Sequence, residues 1–299
     1  MKRIAGSCFL IFTAGALLAQ PKNASTGLSF LKLGVGGRAI GMGEASSALS
    51  TDASGIYYNP AGISFGDANE VTLMHKDWVF GTGTEYLGSV VHSHNFAFGF
   101  GLNSTNVDGI EIRDQPGPSQ GTFGLHDFAV TATASWRMDT SFSVGISGKF
   151  LYEKIYLDET SGAAVDVGAR YQLDRKFAIA AGVSNIGSMT PFINEAPRLP
   201  AALRLGGSFQ DDLADRFAFA FASDVIKVFN DDGVRVHLGA EVVYDSHFAL
   251  RSGYQIGYES KGFSAGFGVH YGIVQLDYAF VPFLDQLGNA HTFALTFNL

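Results

Sequence analysis

The sequence predicts an all-β fold, a 14-stranded antiparallel transmembrane β-barrel over residues 69–299, with residues 20–68 as an N-terminal hatch that plugs it. Three observations predict this. From Glu70 onward, fourteen short segments alternate large apolar residues with small or polar ones, the two-residue period of a strand whose faces meet different surroundings. In the twelve clearest segments the ionisable residues all fall on the less apolar face. The connections alternate between short and long, as in barrels with tight periplasmic turns and larger outer loops.

Residues 1–19 start with Met1-Lys2-Arg3, run through an apolar stretch from Ile4 to Leu18 and carry small residues at Ala16 and Ala19. This is the layout of a secretory signal peptide cut near Ala19-Gln20. The stretch is shorter than the ~20 apolar residues of a membrane-spanning helix. Cys8, the only cysteine, lies inside it, so the mature chain is expected to hold no disulfide and no Cys-ligated metal. Without Lys2 and Arg3 the chain carries 18 basic against 28 acidic residues, a balance that disfavours nucleic acid as a partner. No later segment offers 18 uninterrupted apolar residues, so a chain that crosses lipid must do so as a closed barrel, which leaves no backbone group unpaired. An exported barrel belongs in the cell outer membrane of a Gram-negative-type bacterium, among outer-membrane lipid.

Residues 30–65 do not alternate and carry seven glycines, which suits a compact irregular plug better than a strand. Asn59-Pro60-Ala61-Gly62 has the residue choice of a type I turn. Gly34-x-Gly36-x-x-Ala39 formally fits a dinucleotide fingerprint, but the βαβ unit that gives that motif its meaning is missing. The eight histidines are dispersed, with His92 and His94 beside a turn and His237 and His270 as lone lumenal candidates. No nucleophile elbow or metal-ligand pair stands out, so the expectation is no enzyme, no cofactor and no metal.

In the wall, Phe96, Phe98, Phe100 and Leu102 oppose Ala97, Gly99, Gly101 and Asn103. Residues 126–137 set Phe128, Val130, Ala132, Ala134 and Trp136 against Asp127, Thr131, Thr133, Ser135 and Arg137. The final strand sets Phe293, Leu295, Phe297 and Leu299 against Thr292, Thr296 and Asn298. Further strands are expected to start near 141, 163, 176, 200, 216, 233, 247, 262 and 273. The phase of the first two, near 70–80 and 84–92, stays open, because Lys76 and Asp77 fall on opposite faces. A soluble β-sandwich also alternates, but its solvent face is rich in Lys, Glu and Thr, whereas the second face here is mostly Gly, Ala and Ser, as in a lumen that another piece of chain approaches closely. Short turns are expected at 138–140, 174–176 and 245–247, and long outer loops at 107–124, 155–162, 186–199 and 281–290.

The expected lumen-facing charges are Arg137, Lys149, Asp166, Arg170, Arg204, Asp224, Arg235, Glu241, Arg251 and Asp277, joined by Asp127 and Glu153. Six of each sign argue for pairing between hatch and wall rather than for an ion-selective ring. Arg38 and Asp52 of the hatch are therefore expected to pair with wall residues of opposite sign.

The N-terminal block resembles the PorV/PorQ family, within the wider FadL-like superfamily. The residues that carry the resemblance are Phe30-Leu31-x-Leu33-Gly34, Arg38-Ala39-x-Gly41-Met42-Gly43, Asp52-Ala53-Ser54 and Tyr57-Tyr58-Asn59-Pro60-Ala61-Gly62. Weaker matches continue through Ser184-Asn185-Ile186-Gly187, Arg204-Leu205-Gly206, Leu250-Arg251-Ser252-Gly253-Tyr254 and Asp277-Tyr278. Glu44 departs from the small residue expected after Gly-Met-Gly. The resemblance implies a plugged 14-stranded barrel whose hatch motif comprises Gly34, Arg38, Gly41, Gly43, Asp52, Asn59, Pro60, Ala61 and Gly62. It implies first a role in type IX secretion, with partners that are secreted proteins bearing C-terminal signal domains and other secretion components. The alternative it implies is a FadL-like channel for long-chain fatty acids or other hydrophobic small molecules, for which Phe192, Ile193, Phe283 and Leu284 are candidate loop contacts.

Overall fold

The structure, a computed structural model, describes residues 26–113, 115–192 and 194–299. The expected signal peptide, residues 1–19, and the loop candidate Ile193 lie outside the described residues. Fourteen strands close into one antiparallel barrel in which each pairs with its sequence neighbours and β1 pairs with β14. They are β1 (Glu70–Asp77), β2 (Thr82–Ser93), β3 (Phe96–Ile112), β4 (Gly121–Arg137), β5 (Phe142–Ile155), β6 (Asp158–Gln172), β7 (Phe177–Met189), β8 (Ala202–Ala214), β9 (Phe217–Val228), β10 (Arg235–Tyr244), β11 (Phe248–Ile256), β12 (Phe263–Tyr271), β13 (Val274–Pro282) and β14 (Asn289–Asn298).

The outer surface is apolar and aromatic. Phe96 stacks on Trp136 at 5.9 Å, Phe177 meets Phe209 at 4.5 Å and Tyr278 meets Phe293 at 5.1 Å between ring centroids. Such rows of outward aromatics stabilise strand pairs and are tolerable on a surface only where lipid covers it. The inner face carries Thr, Ser and charge, with Thr72 and Thr296 hydroxyls 2.8 Å apart and Thr133 and Ser147 2.7 Å apart. The protein is therefore an outer-membrane barrel.

β1 and β2 resolve the phase left open by sequence. Glu70, Thr72, Met74 and Lys76 point inward; His75 and Asp77 point outward near the end of the strand, where His75 bonds Glu85 of β2 across the exterior. Both ends of the barrel segment lie at one rim, since Glu70 pairs with Asn298. That rim also holds the tight connections 94–95, 245–247 and 272–273, which marks it as periplasmic.

Two expected loops prove to be strand in large part. β3 and β4 extend to Ile112 and from Gly121, and β5 and β6 reach Ile155 and Asp158, leaving only Tyr156 and Leu157 between them. Strands β3–β6 have 14 to 17 residues, more than the ~9–11 that cross lipid, so their outer ends stand above the membrane, where the apolar alternation is no longer imposed.

Residues 26–65 run inside this ring. The segment forms short turns of helix, Ser29–Lys32, α1 (Gly37–Gly41), α2 (Gly55–Tyr58) and Gly62–Phe65. It starts near the outer loop, where the Gly27 N–H donates to Arg198 O, and ends at the periplasmic rim, where Leu299 N donates to Asn69 O.

Candidate functional site

Small residues let the segment lie flush on the wall. Gly239 and Gly253 are cross-strand partners on β10 and β11, and a Cβ on either would strike Met42 or Gly43, the latter at 2.0 Å. Gly43 itself has φ +65, a conformation glycine adopts freely. Its carbonyl accepts from Gln255, and Ser264 donates to Gly41 O. The Asn59-Pro60-Ala61-Gly62 turn closes with Gly62 N–H donating to Asn59 O, and its residues face β4, β5 and β6. Asn59 Nδ2 donates to Ala169 O, Pro60 lies over Gly145 and Gly168, and Ala61 O accepts from the Ser135 and Ser143 hydroxyls.

The charged contacts concentrate on β8–β13. Arg38 Nη2 lies 2.7 Å from Glu241 Oε1, Arg251 Nε donates to Glu241 Oε2 at 2.6 Å, and Arg251 Nη1 meets Asp277 Oδ1 at 2.7 Å. Burial acts to lower the Arg38 pKa, but the Glu241 carboxylate outweighs it and raises it. Asp224 accepts the backbone N–H groups of Ser46 and Ser47, the Ser47 hydroxyl and Arg204. Glu44 is buried facing Lys261 at 3.5 Å, and Lys76 donates to Gly34 O. Burial alone raises the Glu44 pKa; Lys261, His237, Lys76 and Arg204 together overcome it and hold the carboxyl at about 2.

Arg38 finds the wall carboxylate expected of it. Among the described residues Asp52 pairs with no wall cation; its Oδ1 accepts from both the backbone N–H and the hydroxyl of Ser54, and Arg38 is already taken by Glu241. Most lumenal charges pair within the wall rather than with the segment: Lys149 with Asp166 at 2.6 Å, Arg204 with Asp224, and Arg251 with two carboxylates. Arg235 pairs with Asp231 of the 229–234 connection, and Arg137 and Arg170 lie over the Phe65 ring. His237 is buried between Glu44 O and the Tyr258 hydroxyl, while His270 sits at the 272–273 turn.

The outer end of the segment is of different character. Leu28, Phe30 and Leu31, with Leu33 beside them, are buried against Ala129 at the middle of β4, Leu151, Ala164 and Met189 toward the outer ends of β5–β7, and Leu199 of the connection before β8. Sequence reasoning named Phe30, Leu31 and Leu33 only as motif residues and missed the wall half of this cluster. The signal was Leu151, a large apolar residue on a face otherwise small or charged. Of the loop candidates, Phe283 packs edge-on against Trp78 at 4.8 Å, Phe192 is half-buried and Leu284 is exposed. A cavity of about 40 Å³ between Lys32, Glu44, Tyr57 and Arg204 holds little more than a water molecule. One of about 320 Å³ opens below, lined by Arg38, Asp52, Glu70, Glu241, Arg251 and Asp277.

A closed apolar-walled barrel filled by its own N-terminal segment defines the class: outer-membrane β-barrels. Over residues 13–197 the chain matches the Uncharacterised protein family (UPF0164), and it belongs to that family. No curated protein matches it in sequence. Among solved structures its fold is similar to the toluene transporter TbuX of Ralstonia pickettii, with TM-score 0.64 and 14% identity over 89% of this chain and 98% of that one. It is also similar to the Pseudomonas putida toluene transporter TodX, with TM-score 0.61, 14% identity and coverage of 88% and 96%. A FadL homologue of Pseudomonas aeruginosa gives TM-score 0.55 at 11% identity, covering 95% and 99%.

Proposed function

We propose that the protein is an outer-membrane channel for a hydrophobic small compound, with residues 20–68 as a hatch that shifts to let it pass and residues 1–19 as the export signal. The observation that carries this reading is the apolar cluster at the outer mouth. Just below the rim an incoming solute meets the place where Leu28, Phe30 and Leu31 lie on Leu151, Met189 and Leu199, a contact without direction that an apolar solute can replace. The similar folds support it, two being toluene transporters. The protein-export reading draws on the N-terminal block, whose motif residues Gly41, Gly43, Asn59 and Ala61 are turned into the wall, away from an exported partner.

The test is uptake of radiolabelled toluene and oleate by cells of a bacterium lacking its own channel of this kind. Cells carrying the barrel take up at least one of the two faster than empty-vector cells. Equal rates, with the folded barrel present in the outer membrane, would sink the reading; co-purification of C-terminal signal domains would reinstate protein export. N-terminal sequencing of the mature chain is expected to begin at Gln20.

A further inference from the structure

We propose that the outer half of the lumen holds a calcium site built on Asp127 and Glu153. The register places Thr84, Thr105, Asp127, Glu153 and Thr160 in one row across β2–β6, each directly opposite the next. All five point inward and none is more than 6% exposed. Neighbours in such a row stand ~4.8 Å apart, so the row is a strip of side chains whose only polar atoms are oxygens.

The threonines at its ends are satisfied. Thr84 and Thr105 hydroxyls are 2.9 Å apart, and Thr160 donates to Thr190 O. The two carboxylates in the middle are not: neither has a hydrogen-bond donor or cationic partner among the described residues, and Asp127 Oδ1 is buried with no partner. Every other inward carboxylate of the wall from Asp166 to Asp277 has a guanidinium, ammonium or N–H donor. Asn103 adds a separate observation. It lies on the same face of β3, two residues before Thr105, and its Oδ1 is also buried without a donor.

Like charges directly opposite on paired strands repel, and two buried carboxylates facing each other call for a cation between them. An all-oxygen set of two carboxylates, an amide and hydroxyls is hard, and flexible in number and geometry, which selects calcium over zinc or copper and over the stricter octahedron of magnesium. The site faces the outer mouth, next to the apolar cluster of Ala129 and Leu151, two residues along the same strands.

The experiment is calcium titration of the purified full-length mature barrel by calorimetry, with equilibrium dialysis of radioactive calcium as a second readout and magnesium as competitor. Saturable binding of one ion per barrel is expected, weakened at least about tenfold by Asp127→Asn or Glu153→Gln and unchanged by Glu111→Gln on the exposed outer strand end. Calcium is expected to raise the thermal unfolding temperature of the parent barrel and not that of Asp127→Asn. In chelator the order reverses, Asp127→Asn unfolding at the higher temperature because the repulsion is gone. No saturable binding to the parent barrel, or binding insensitive to both substitutions, overturns the proposal. So does an unfolding temperature of the parent barrel that ignores calcium, the result expected if the two carboxyls share a proton.

Discussion

The N-terminal segment touches its barrel in two ways. At residues 28–33 the contact with the wall is apolar and falls on β4–β7 and Leu199; from Arg38 to Ser47 the apolar packing of Ala39, Ile40, Met42 and Ala45 is joined by ion pairs and hydrogen bonds that fall on β8–β13. Apolar contact has no required geometry and is transferable to any apolar surface that takes its place. A buried ion pair is specific, and removing one partner strands a charge where water cannot reach it. On the proposed transport reading, the outer end is the part that a solute displaces, and the inner end is the latch that keeps the displaced segment in the bore.

The sharpest way to break this comparison is Glu241→Ala. Glu241 accepts from Arg38 and Arg251 at once, so its loss leaves two guanidiniums short of a partner, at a cost of roughly 3–5 kcal/mol. Planar-bilayer recordings are expected to show frequent large openings in Glu241→Ala. Arg38→Ala opens less often, because Glu241 keeps Arg251. Equal behaviour of the two variants would mean that the carboxylate does not join segment to wall.

Phe30→Ala tests the other end. Phenylalanine to alanine in a packed site costs about 3 kcal/mol, here confined to the outer contact. Conductance stays low while binding of a fluorescent apolar probe and solute uptake rise. A variant that conducts as Glu241→Ala does would erase the distinction between the two ends.

Gly253→Ala gives a smaller effect. Its Cβ meets Gly43 N at 2.0 Å, so the segment must lift from β11, an overpacking cost of about 1–3 kcal/mol. Gly148→Ala, with nothing within 4 Å of its Cβ, is the matched control and is expected to be silent. Protease accessibility of the segment reads the difference.

The wall was legible because lipid enforces a period of two: the aromatic outward rows and the inward charges at Lys149, Asp166, Asp224 and Asp277 follow from alternation alone. Where lipid ends, the legibility ends with it. The outer extensions of β3–β6 lost their apolar phase and read as loops, and β1 hid its phase because Lys76 points in and Asp77 points out near the end of a short strand. The latch was half legible. Arg38 announced a partner by being a cation in a glycine-rich block, but Glu44 finds Lys261 more than two hundred residues away, and no spacing rule reaches that far. Counting six lumenal charges of each sign left out Glu70 and Lys76 of β1 and could not give the pairing, since a count does not reveal that Asp127 and Glu153 face each other.

Acid gives the mildest perturbation within ordinary conditions and tests the latch from a different direction. The Glu44 carboxyl sits at about 2, below its ordinary value near 4.5, because Lys261 and its cationic neighbours more than offset burial. A carboxyl whose folded pKa is depressed stabilises fully above its unfolded pKa and loses that contribution as pH falls toward the folded value. This contribution is thus flat from pH 8 to about 5 and declines between about 4.5 and 2. Openings measured across that range are expected to stay constant down to pH 5 and increase below it, with the increase reduced in Glu44→Gln, where no proton is left to add. A change centred near pH 7, or an acid response identical in Glu44→Gln, would take Glu44 out of the latch and leave Arg38 and Asp224 to hold the inner end alone.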